Sequence, residues 1–149
     1  MKASPLALLI ATLALAGTSL AGDVKKSAFH FAPNLEKDLG FSRAVRVGDT
    51  LYIAGSVGAG EMDAAIKQAY DRIGKTLEAH GLTFQNIVKD TIYTTDLERF
   101  IANREVRKRY YSEDYPASTW VHVSRLNAPE LVVEIEAIAV FRSADACAK

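Results

Sequence analysis

The chain of 149 residues predicts an α+β sandwich, a sheet with both of its helices laid over one face. Three observations carry that prediction. Period-2 and period-3.6 runs follow one another in the order strand, strand, helix, strand, helix, strand, strand. One helix has a clean apolar stripe, and one strand face is apolar throughout, so each needs the other as cover. The length suits a single domain.

The first residues stand apart from that domain. Lys2 is followed by an uncharged Leu- and Ala-rich run from Pro5 to Leu20, and Ser19-Leu20-Ala21 offers a small-x-small cleavage site. This pattern predicts a secretory signal peptide over residues 1–21, because the run is shorter than the roughly 20 residues that span a bilayer. The mature protein is then expected in the periplasm or outside the cell, with no membrane attachment. Residues 22–40 read as an irregular lead-in or short edge strand. The domain is expected over 41–142, and 143–149 form a tail.

Phe41–Val47 and Thr50–Ala54 alternate around Gly48-Asp49, which predicts a tight hairpin. Gly55, Gly58 and Gly60 in GSVGAG read as a flexible connection to the next helix. Glu61–His80 carries Ile66, Ala69, Tyr70, Ile73 and Leu77 at spacings of three and four, with Gly81 placed for a left-handed stop. Ile87–Thr94 is a β-branched strand. Thr95-Asp96-Leu97-Glu98 reads as a capping box opening a helix that runs to about Tyr110. The basic run Arg104, Arg107, Lys108 and Arg109 reads as a solvated face near that helix's C-terminus. Thr119–Arg125 and Val132–Phe141 then form strand, turn, strand.

Composition narrows the function. Lys plus Arg and Asp plus Glu number 18 each, so the net charge is zero. A dedicated nucleic-acid surface usually carries a basic excess, so no such partner is expected. The single cysteine, Cys147, cannot form an internal disulfide. His30, His80 and His122 lack ligand spacing, so neither a metal nor a cofactor is expected.

The last two strands carry the chemistry. Val133, Ile135, Ala137, Ala139 and Phe141 share an apolar face. Glu134, Glu136, Ile138 and Val140 share the other, and Ser118, Trp120 and His122 alternate out of the preceding strand. Read together, these side chains make a mixed face that is half-solvated, an oligomer interface or a pocket wall.

Pro116, Ala117, Thr119, Val121, Val123, Arg125, Leu126 and the Glu134–Val140 run follow a pattern that resembles the RidA (YjgF/YER057c/UK114) family. The hairpin RAVRVGDTLYIAG resembles it too. Phe41-Ser42-Arg43-Ala44 stands where the family has Tyr-Ser-x-Ala, and Ala54-Gly55-Ser56 where it has Ser-Gly-Gln. Phe100 and Asn103 fit its helix pattern. The resemblance implies a chorismate-mutase-like fold and a homotrimer with ligand pockets between subunits. It implies an imine or enamine deaminase in which an arginine after Pro-Ala grips the substrate carboxylate. Here that position is Ser118, which has neither the charge nor the planar fork of a guanidinium. The resemblance makes Glu134 the catalytic candidate, placing water, and Phe41, Gly55, Ser56, Asn103, Ser118 and Trp120 the ligand-binding candidates.

The expected function is a small-molecule pocket protein of the cell envelope, hydrolysing, if anything, a substrate other than a 2-imino acid. The alternative is conversion of 2-imino acids to keto acids and ammonia. Neutral charge weighs against a third reading, cleavage of RNA.

Overall fold

The structure is a computed structural model and describes residues 22–142. The expected signal peptide, the tail and Cys147 lie outside the described residues.

A six-stranded mixed sheet has the order β1-β2-β3-β6-β4-β5. Its strands are β1 (Ser27–Phe29), β2 (Ala44–Val47), β3 (Thr50–Ala59), β4 (Ile87–Thr94), β5 (Ala117–His122) and β6 (Leu131–Val140). The helices are α1 (Pro33–Asp38), α2 (Met62–Glu78), α3 (Leu97–Ala102) and α4 (Arg104–Tyr111). The expected α+β sandwich is therefore present, and the lead-in contributes a short edge strand and a short helix.

The core lies between the sheet and α2. Ala65, Ile66, Ala69, Tyr70, Ile73 and Leu77 are buried along one side of α2, against Leu51, Ile53, Ile92, Val133, Ile135 and Ala139. The stripe read from the spacing is the one that is covered, and Gly81 takes φ +67 beyond the helix end. The Gly48-Asp49 hairpin holds as well. Val47 pairs with Thr50, and Gly48 has φ +58, where a side chain would be strained.

Four local expectations differ. The GSVGAG segment is mostly strand: β3 runs through Ala59. Gly55 and Gly58 serve close packing rather than slack, while Gly60 turns the chain at φ +85. A Cβ on Gly58 would sit 2.0 Å from the Ala65 carbonyl oxygen, so the missing side chain is what lets α2 approach the sheet. The helix after β4 is broken at Asn103 into α3 and α4. Its N-cap is Asp96, whose carboxylate accepts from the Arg99 amide at 2.9 Å, not Thr95.

The fourth difference matters most. β5 and β6 are successive in sequence but do not pair. Both flank β4, β5 in parallel and β6 antiparallel. Trp120 lies opposite Ile92, and Glu134 lies opposite Tyr93. Neighbouring residues of one strand point to opposite faces. Trp120 and Glu134 therefore lie on opposite sides of the sheet, and the single mixed face expected from the sequence does not exist within one chain.

Candidate functional site

The open face of the sheet holds Glu134. Between the pairs Ile53–Ala137 and Ser56–Ile135, two residues of β3, Ala54 and Gly55, oppose only Glu136 of β6. This bulge brings the Gly55 backbone against the Glu134 side chain. A Cβ on Gly55 would lie 1.9 Å from Glu134 Oε1. Glycine is thus required here to leave room for the carboxylate.

Glu134 is half-buried and, among the described residues, accepts no hydrogen bond. Burial raises its carboxyl above the ordinary carboxylate range, and Glu136 adds to this, while Arg43 opposes it. Tyr93, beside it on β4, donates to Glu136 Oε1 at 3.3 Å. Its phenol is raised by burial and by the two carboxylates. A carboxylate with a raised pKa and no donor of its own can take a proton from a water, which is the geometry of a general base.

Arg43 completes this side of the sheet. It precedes β2, and its Nη1 donates to the Gly55 carbonyl at 3.0 Å. Its guanidinium lies 5.5 Å from the centroid of the Phe41 ring. Its Nε is buried and, among the described residues, has no hydrogen-bond partner. Phe41, Arg43, Gly55 and Glu134 therefore form one cluster. The family pattern leaves position 43 open, so the cation was not predicted; only the alternation of the hairpin, which puts Arg43 opposite in sense to buried Ala44, could have found it.

The remaining candidates lie elsewhere. Trp120 is on the helix-covered side, edge-on to Phe100 with ring centroids 5.0 Å apart, and its Nε1 donates to Ser118 Oγ at 2.7 Å. His122 points to the same side, opposite Thr94. Asn103 occupies the junction of α3 and α4, and its Nδ2 donates to the Arg99 carbonyl at 2.9 Å. Ser56 is fully buried beneath the helices, and among the described residues its Oγ has no hydrogen-bond partner. Phe41, Gly55 and Glu134 are brought together; Ser118 and Trp120 are brought together; Asn103 and Ser56 join neither group through a contact.

The sequence also missed a buried polar network under Trp120. Asp90 is fully buried and accepts two hydrogen bonds from Arg107 Nη2, at 2.9 and 3.2 Å, and one from Nε at 3.3 Å. Tyr111 and Tyr70 hydroxyls donate to the same carboxylate at 2.8 and 3.1 Å. Burial, with the adjacent Asp90 charge adding to it, raises both phenols. Arg107 was read as part of a solvated face. The structure buries it, because Asp90 on β4 needs a cation.

Among the described residues no three His, Cys, Asp or Glu side chains gather as metal ligands, and no helix is long and apolar enough to cross a membrane.

Comparison with known proteins places this arrangement. Residues 32–141 match the family described as Endoribonuclease L-PSP. A RutC family protein of Pyrococcus horikoshii is 34% identical over 119 residues, 73% of this chain and 94% of that one. The 2-iminobutanoate/2-iminopropanoate deaminase of Capra hircus is 38% identical over 109 residues, 67% of this chain and 79% of that one. Among solved structures, a YjgF/YER057c/UK114 family member from Mycobacterium tuberculosis superposes with a TM-score of 0.72 at 34% identity, covering 78% of this chain and all of that one. The Phe41–Gly55–Glu134 cluster, the Pro-Ala pair and the six-stranded sheet thus stand in a chain that belongs to the YjgF/YER057c/UK114, or RidA, family.

Proposed function

We propose that the protein is a small-molecule pocket protein of RidA type in the cell envelope. Its ligand is held where copies of the chain meet in a homotrimer, and Glu134 orients or deprotonates a water. The observation that carries this is the division of the candidate residues. Phe41, Gly55 and Glu134 are on one side of the sheet, and Ser118 and Trp120 are on the other. A ligand touching both groups must lie between two chains. The open face supports association, since it exposes Phe41 at 37% and Tyr52 at 48% of their surface.

The preferred substrate is one other than a small 2-imino acid, because a hydroxyl at position 118 cannot grip a carboxylate bidentately. The mature protein is expected to turn over 2-aminoacrylate and its imine weakly or not at all. Robust hydrolysis that Glu134→Gln abolishes would overturn that preference.

One observation favours the second reading, 2-imino acid deamination. Arg43 puts a guanidinium on the Glu134 side of the sheet, where it could hold a substrate carboxylate. Water would add to the imine carbon and give one proton to Glu134, which passes it to the nitrogen; the proton of the new hydroxyl then moves to the same nitrogen through Glu134 as the carbon–nitrogen bond breaks, releasing the keto acid and ammonia and leaving Glu134 ionised as it began. If this reading holds, hydrolysis is present and Arg43→Gln raises KM more than it lowers kcat.

A further inference from the structure

We propose that Lys89 of one copy reaches the next copy, forms an ion pair with Glu136 there, and acts as a positioning residue for the neighbouring Glu134. The inference rests on the between-chain pocket proposed above. It adds to that pocket a cation that neither group of candidate residues contains.

Lys89 and Glu136 lie on the open face of one sheet. Thr91 stands opposite Glu136 and Lys89 opposite Ile138, so the two charges are diagonal neighbours on β4 and β6. Opposite charges placed in this way could pair within the chain, but they do not. Lys89 Nζ turns toward β5 and donates to Thr119 Oγ1 at 3.2 Å. Glu136 accepts from the Tyr93 hydroxyl at 3.3 Å. Among the described residues neither forms an ion pair. Both line a hollow of about 170 Å³ that Tyr52, Thr91 and Ile138 share.

Topology says where the two charges go. β5 is the outermost strand on its side of the sheet, and Ala117, Ser118 and Thr119 are exposed on it. Lys89 lies opposite Ala117 and bonds Thr119, so its ammonium is carried next to Ser118. A ligand shared between Ser118 of one chain and Glu134 of the next brings those two residues together. Glu136 is two residues past Glu134 on the same face, about 7 Å along the strand. The long lysine stem spans an offset of that size. The approach that builds the pocket therefore delivers the ammonium to the Glu136 carboxylate. The contact is head-to-tail. Each copy gives Lys89 to one neighbour and Glu136 to the other, which suits a closed ring.

The pair acts on Glu134 through charge. Arg43 faces Glu134 from the start of β2, the Gly55 backbone from β3, Tyr93 from β4, and Glu136 shares its strand. Burial raises the Glu134 carboxyl, the Glu136 charge adds to this, and Arg43 opposes it. An ammonium on Glu136 offsets the second of these contributions. Glu134 is then held ionised more readily, which is the state that takes a proton from water. A lone chain lacks that help, so the base is completed by assembly.

Charge exchange tests the pair. Lys89→Glu and Glu136→Lys each set like charges against one another across the contact. By sedimentation velocity each should assemble at least about tenfold more weakly than the wild type, and the double variant should recover to within about threefold. An equimolar mixture of the two single variants should assemble more strongly than either alone, which a pair confined to one chain would not produce. Lys89→Gln supplies a readout that does not depend on the reversed charges. It should move the Glu134 titration, followed by carboxyl carbon NMR and identified by its loss in Glu134→Gln, to higher pH. A lysine with a merely structural role would leave that titration in place. Wild-type assembly by both single variants, no recovery in the double variant, or an unmoved Glu134 titration would overturn the inference and leave the between-chain pocket standing. A wild type that stays monomeric would overturn both.

Discussion

Asp90 and Glu134 are carboxylates on neighbouring strands of one sheet, one facing the helices and the other the open side. Asp90 is fully buried, and each of its oxygens is engaged by Arg107, with two tyrosine hydroxyls added. Glu134 is half-buried and accepts from no protein donor among the described residues. The first is fully buried and paired with a cation, so no substrate reaches it; its work is structural. The second has been left unsatisfied beside a glycine that makes room for it. Burial alone therefore does not mark a functional carboxylate. The absence of donors, on a face open to a ligand, separates the two.

The largest effect should come from breaking the saturated side. Arg107→Ala leaves Asp90 charged and unpaired in the core. It should cost about 3–5 kcal/mol in urea unfolding, with the slope of the transition unchanged. A loss under about 1 kcal/mol would mean that Asp90 is not held as described.

The glycines give the next contrast. In Gly58→Ala the new methyl meets the Ala65 backbone, which cannot step aside, so about 1–3 kcal/mol of stability should be lost. In Gly55→Ala it meets the end of the Glu134 side chain, which can swing away. That variant should lose less stability than Gly58→Ala but should perturb any ligand response or turnover that depends on Glu134. Equal destabilisation by the two would remove the distinction between the two sides.

The smallest effect is on pH dependence. Glu134 binds its proton more tightly in the folded chain than in the unfolded one, because burial and Glu136 raise it. No penalty exists below the ordinary carboxylate range. It grows as pH rises through the raised value. Glu134→Gln should therefore match the wild type in acid and become slightly the more stable toward neutrality, by under about 1 kcal/mol because the group is half-exposed to solvent. A variant that is relatively more stable in acid than at neutral pH would reverse the sign.

Most of the fold was legible in the sequence, for physical reasons that are local. The α2 stripe, the Gly48 turn and the β-branched run of β4 each declare themselves within a few residues. What the sequence hid was pairing. Nothing in Ser118–His122 says that β5 lies parallel beside β4, and β6 is inserted between β3 and β4 by long-range contacts. Hence Trp120 and Glu134 were read onto one face, when the register at Ile92 and Tyr93 puts them on two. Arg43 was hidden less deeply. Its neighbour Gly55 lies 12 positions away in sequence, and the β2–β3 hairpin register sets the two side by side, with Ala44 opposite Ile53 and the Ala54 amide donating to the Arg43 carbonyl.

Since no single chain can unite Glu134 with Trp120, self-association is the property to measure first. Sedimentation velocity of the protein at micromolar concentration, with native mass spectrometry of the same sample, reads it directly. A species of three chains is expected. A protein that stays monomeric throughout would contradict a site built from two sides of neighbouring sheets.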